Sequence, residues 1–112
     1  MINVQIVLKE GMLHKCSATG HAGFAKKGKD IVCASVTILL RTSIETFAKN
    51  DLLELQTKSF GRGDLFFCVW TKDASKEAQI ILKYMADFLQ NGFQRLCTEY
   101  PKCVSLDILA EV

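Results

Sequence analysis

The spacing of apolar residues changes repeatedly along this chain, and those changes restrict the fold more than any other feature. Ile2, Val4, Ile6 and Leu8 alternate with Asn3, Gln5 and Lys9, the period of a half-buried strand. Glu10-Gly11 marks a tight turn, and Met12 to Thr19 reads as the returning strand. Gly20 to Lys29 holds three glycines and three lysines without a useful period, which predicts a loop. Asp30 stands where a helix cap should stand, and Ile31 to Lys49 is apolar on most faces, so a helix largely surrounded by protein is predicted. Asn50-Asp51 ends it. Leu52 to Phe60 and Leu65 to Thr71 read as two further strands, joined by Gly61-Arg62-Gly63-Asp64 as a hairpin connection. The Arg-Gly-Asp letters there match an adhesion tripeptide, but a turn explains them. Asp73-Ala74-Ser75 opens a second helix, with Ala78, Ile81, Leu82, Met85, Leu89, Phe93 and Leu96 at helical spacing. Pro101 stops it, and Val104, Leu106 and Ile108 make a short last strand. The order β-β-α-β-β-α-β implies an α+β sandwich in a single domain over residues 1–112, with antiparallel strand pairs and two main helices.

With 49% hydrophobic and 23% charged residues, 112 residues suit one globular domain. The net charge of +2 is small and its lysines and arginines are dispersed, so no direct nucleic-acid binding is expected. The longest apolar run, Ile31 to Leu40, is interrupted by Ser35 and Thr37 and ended by Arg41, short of a bilayer span. The first residues lack the pattern of a secretion signal, so a cytoplasmic protein without a membrane partner is expected. Five cysteines, an odd number without Cys-x-x-Cys, argue against a disulfide framework or a zinc ribbon. Cys16, Cys68, Cys97 and Cys103 sit in apolar stretches and read as small buried hydrophobes. His14, Cys16 and His21 match no metal-ligand spacing, and no metal or other cofactor is expected.

Cys33 is different. With Asp30 as N-cap it is the third helical residue, where backbone N–H groups are unsatisfied and the helix dipole is positive. That setting favours a thiolate, which a nucleophilic cysteine needs near neutral pH. His21 ends the second strand and can fold back over the helix start as the base that takes the thiol proton. Asp30 and Thr37 flank Cys33 at helical spacing, on one face. Asp30 either orients His21 or caps the helix, and as a cap it places negative charge near the sulfur. Thr37 either donates a hydrogen bond into the site or bonds back to the carbonyl of Cys33. A plainer reading stands beside this one: a core cysteine and a surface histidine.

Gly20-His21-Ala22, a glycine-bearing loop, and Gly28-x-Asp30-Ile31-Val32-Cys33-Ala34 resemble the signature of the ribosomal-processing cysteine protease Prp family. The resemblance extends over nearly the whole chain in length and element order. It implies a cysteine endopeptidase that removes a short N-terminal extension from a bacterial large-subunit ribosomal protein, whose mature N-terminus reaches toward the peptidyl-transferase centre. By that resemblance Cys33 is the nucleophile, His21 the general base and Asp30 a supporting acid. Family members commonly carry Ser where this chain has Thr37, which keeps the hydroxyl and adds a methyl. A homodimer is implied as well. Gly23 and Gly28 would be hinges of a lid carrying Phe24, and Phe24 or Ile31 would contribute to an apolar recognition pocket. Backbone N–H groups of the first helical turn are the expected oxyanion donors. The main alternative is a non-catalytic ribosome-assembly factor binding the same protein or ribosomal RNA, with Phe66, Phe67 and Trp70 as stacking residues. A third is a thiol redox sensor at Cys33, for which the sequence offers no partner cysteine.

Overall fold

Alternation decides which side of each strand is covered. Ile2, Val4 and Ile6 of β1 (Ile2–Lys9) are buried, while Asn3 and Gln5 between them are exposed. A tight turn at Glu10 and Gly11, both at positive φ, returns the chain into β2 (Met12–Gly20), antiparallel to β1. The register of this pair shifts between Val7 and Leu8: Val7 faces Lys15 but Leu8 faces Leu13, so His14 is the extra residue of a β-bulge. The bulge lets Leu13 and Cys16, three positions apart, both be buried.

In the computed structural model, residues 1–26, 29–59 and 64–111 are described. They form one sheet in the order β3-β4-β2-β1-β5, with β3 at Leu53–Ser59, β4 at Leu65–Thr71 and β5 at Val104–Glu111. The hairpin-joined β1–β2 and β3–β4 pairs are antiparallel, as the sequence suggests, and the β2–β4 pair, which it does not suggest, is antiparallel too. The β1–β5 pair is parallel, which makes the sheet mixed, and β5 is an eight-residue strand rather than the short one expected. Of the expected hairpin connection, Gly61, Arg62 and Gly63 lie outside the described residues, as does Gly28 of the expected lid.

Helix α1 (Ile31–Ala48) packs on β3 and β4, and α2 (Lys76–Glu99) lies mainly on β2 and reaches β5. Phe47 of α1 meets Phe67 of β4 edge-to-face, with ring centroids 5.6 Å apart. The helices approach at Gly92, where an added Cβ would lie 3.3 Å from Leu39 Cδ1. With a mean hydropathy of 1.5 over 18 residues, α1 is long and apolar enough to cross a membrane by length and composition, contrary to the reading of a run cut short at Arg41. One face of it packs on the protein, with Val32, Val36, Leu40 and Phe47 buried, but Ile31 and Ile38 are 53% and 64% exposed, so the helix is not largely surrounded by protein as the sequence suggests.

Gly20 closes β2 at φ +93°, and a Cβ there would collide with the main-chain carbonyl of Met1. Gly11, at φ +78°, has open space around it. Gly11→Ala should therefore cost about 1 kcal/mol, the strain of a left-handed backbone alone. Gly20→Ala should cost about 2–4 kcal/mol, because β1 or β2 must also shift. Urea unfolding of the two variants checks the difference.

Candidate active site

Asp30 is the N-cap of α1, and its carboxylate uses both oxygens. Oδ1 accepts from the backbone N–H groups of Val32 and Cys33, each at 3.0 Å. Oδ2 accepts from Phe24 N–H at 3.1 Å and from Ala25 N–H at 3.4 Å. One side chain thus caps the helix and ties the preceding loop to it. Desolvation acts to raise the Asp30 pKa, but the backbone N–H groups of Cys33, Ala25 and Phe24, with the Cys33 thiol, outweigh it and hold the carboxyl below its ordinary value. Phe24 is held a second time, edge-to-face on Tyr100 at the end of α2, with centroids 5.4 Å apart.

Cys33 is the third residue of α1 and is partly buried. Its Sγ accepts a hydrogen bond from the backbone N–H of Ala22 at 3.4 Å. His21 therefore sits one residue from the group that touches the sulfur, but its side chain is exposed. Among the described residues no hydrogen bond joins the imidazole to Cys33 or to Asp30. Of the two roles open to Asp30, capping is the one seen. Of the first-turn N–H groups expected as oxyanion donors, Asp30 Oδ1 takes those of Val32 and Cys33, and the Asp30 carbonyl takes that of Ala34 at 3.1 Å. The donor aimed at the sulfur comes from the loop instead.

Cys33 opens into a cleft of about 210 Å³ between α1 and the ends of β2 and β4. Ala18, Val36, Leu40 and Leu65 make its apolar lining, and Thr37, Arg41 and Asp64 its polar one. Neither Phe24 nor Ile31 lines it, so the pocket expected from those residues lies elsewhere along the same helix. The hydroxyls of Ser35, Ser43 and Thr46 bond back to carbonyls four residues earlier, whereas no such bond is found for Thr37 among the described residues. Thr37 lines the cleft. Asp64 Oδ1 accepts from Gly20 N–H at 3.2 Å and fixes the end of β2 against the start of β4. Sequence reasoning missed Arg41 and Asp64 because their place in the cleft depends on the pairing of β2 with β4.

A second cysteine–histidine pair exists, which the sequence did not suggest. The β-bulge aims His14 at Cys68, whose Sγ lies 3.8 Å from Nδ1 and 3.9 Å from Nε2. Sulfur nearly equidistant from both nitrogens is in line with neither lone pair, and His14 Nδ1 instead bonds the Val69 carbonyl at 3.1 Å. Burial raises the Cys68 thiol, Lys15 opposes this and Glu111 adds to it. Burial also pushes Cys16 up to about 12 and raises Cys97. This pair is packing, and Cys33 is the cysteine that opens into the cleft.

A family model described as cysteine protease Prp matches residues 1–105. A ribosomal processing cysteine protease Prp of Mycoplasma pneumoniae is 49% identical over 39 residues, a stretch covering 35% of this chain and 39% of that protein. Among solved structures, the essential ribosomal processing protease Prp of S. aureus, in complex with a covalently linked product peptide, superposes with a TM-score of 0.76 at 26% identity, covering 96% of this chain and 99% of that one. A Streptococcus mutans protein shares the fold, with a TM-score of 0.74 at 24% identity over 99% of this chain and 96% of that one.

Asp30→Ala should lose about 1–2 kcal/mol of stability, while Asp30→Asn, an equally good cap, should stay within about 0.5 kcal/mol of wild type. Asparagine keeps one carbonyl oxygen for Val32 and Cys33 but turns an amide N–H₂ toward Phe24 and Ala25, so faster amide exchange at those two residues should accompany the near-native stability. The native carboxyl lies below its unfolded value, so its contribution is complete above the ordinary carboxylate range. It is lost as pH falls through the lowered native pKa, and the acid limb of the wild-type stability profile should be blunted in Asp30→Asn. Brief iodoacetamide treatment at neutral pH, read by peptide mass, should modify Cys33 and spare Cys16 and Cys68.

Proposed function

The chain belongs to the cysteine protease Prp family, and from that premise we propose that it removes a short N-terminal extension from a precursor of a large-subunit ribosomal protein, with Cys33 as nucleophile and His21 as general base. The observation that carries this reading is a thiol at the start of α1, opening into a cleft and touched by a loop N–H one residue from a histidine. The M. pneumoniae relative is a ribosomal processing protease, and the S. aureus relative holds a covalently linked product peptide, which supports a peptide substrate here.

In the proposed reaction the substrate fills the cleft and the loop carries the His21 imidazole onto the sulfur. His21 takes the thiol proton as Sγ bonds to the scissile carbonyl carbon, and returns it to the amine nitrogen as the C–N bond breaks. Water then attacks the thioester with His21 again as base, releasing the new carboxyl end and the thiol. The Ala22 N–H, already directed at Sγ, supports negative charge on sulfur as the proton leaves. The same proposal includes a cytoplasmic location, in keeping with a ribosomal substrate, and a homodimer as the working form, which the family resemblance supports.

Incubation with the extended and mature forms of the ribosomal protein, followed by intact mass, is the test. Wild type should shorten only the extended form, Cys33→Ala should abolish cleavage, and His21→Ala should slow it by about a thousandfold. Cleavage that persists in Cys33→Ala overturns the reading. Binding of the extended protein by wild type without cleavage would support the assembly-factor alternative.

A further inference from the structure

Cys33, Thr37 and Arg41 follow one another at four-residue steps along α1, and all three line the cleft. Eight residues of helix separate the thiol from Arg41, about 12 Å. An extended peptide advances about 3.3 Å per residue, so a substrate lying along α1 with its scissile carbonyl at Cys33 reaches Arg41 after roughly three to four residues. Between the two ends, Val36 and Leu40 from the helix and Ala18 and Leu65 from the sheet give apolar walls with little to fix register.

Among the described residues Arg41 is the cation lining this cleft, and no hydrogen bond or ion pair is found for its side chain there. The ion pairs found among the described residues involve His14, Lys15 and Arg95. Asp64, the carboxylate in the same cleft, has Oδ1 engaged with Gly20 N–H. A guanidinium offers donors only, so what it takes is an oxygen acceptor. We propose that Arg41 is a substrate-binding residue that takes a carbonyl or carboxylate oxygen of the peptide roughly three to four residues from the scissile bond, setting register while Cys33 attacks. This rests on the protease reading above. Thr37 lines the cleft half-way between the two.

Steady-state cleavage by wild type, Arg41→Ala and Arg41→Lys of full-length and end-truncated peptides tests the proposal. Alanine suits an exposed helix position, circular dichroism monitors folding, and Arg95→Ala on α2 is the control expected to behave as wild type. With the full-length peptide, Arg41→Ala should raise KM about ten- to a hundredfold and leave kcat near wild type, with partial recovery in Arg41→Lys. The penalty should vanish for peptides cut back to two residues on the side that occupies the cleft. A Glu, Gln and Ala series at the reached position separates the two oxygen sources: a Glu preference lost in Arg41→Ala identifies a side-chain carboxylate, and equal penalties identify the backbone carbonyl. Unchanged KM in Arg41→Ala, or the same penalty with truncated peptides, overturns the proposal. Wild type that cuts no peptide overturns the protease reading and this inference with it, whereas cleavage indifferent to Arg41 overturns this inference alone.

Discussion

The carboxylate of Asp30 joins two parts of the chain that would otherwise be independent. Its Oδ1 satisfies the first N–H groups of α1 and its Oδ2 holds the backbone of the loop that follows β2. A glycine- and lysine-containing connection has little apolar surface with which to fix itself, so these bonds, with Phe24 resting on Tyr100, define its course. The consequence is chemical. Because the helix-end N–H groups are consumed by the cap, the donor that reaches the Cys33 sulfur is supplied by Ala22, and its position depends on the same carboxylate.

The sheet provides the second requirement. Insertion of β4 between β3 and β2 brings the start of one strand beside the end of another, and the Gly20–Asp64 hydrogen bond fastens that corner. Helix α1 leaves from this corner and crosses to β3, so its first turns overhang the gap between the strand ends. The cleft lies between the first turns of the helix and the ends of β2 and β4. Gly20 belongs to the same corner: its missing side chain lets β2 finish against the Met1 carbonyl before the chain turns toward His21.

Much of this was legible in the sequence for identifiable reasons. Alternation in Ile2–Lys9 and helical spacing from Ala78 to Leu96 are local signals, and each element lies within a few residues of where they point. The Asp30 cap was legible because capping needs only the residue type and the apolar run behind it. Strand pairing was not. Nothing in Val104–Glu111 states that β5 lies parallel to β1, since a parallel partner is selected by the crossover of α2 rather than by the strand's own pattern. Arg41 read only as the end of an apolar run, because facing a cleft depends on what lies opposite. The His14–Cys68 contact was hidden for a similar reason: a bulge in β2 changes which residues share a face without changing the letters.

The cleft has parts with separate duties. The stretch from Gly20 to Cys33 holds the thiol, its loop donor and the neighbouring histidine, while Arg41 lies two turns further along α1. The hydrogen bond from Gly20 to Asp64 fastens the sheet side of the cleft. On the proposed reading, substitutions near Arg41 would retune which peptides are accepted while leaving bond breaking at Cys33 unaltered. By the same division, a small electrophile that meets only the sulfur would not discriminate among proteins with this architecture, whereas a longer compound extending along α1 would.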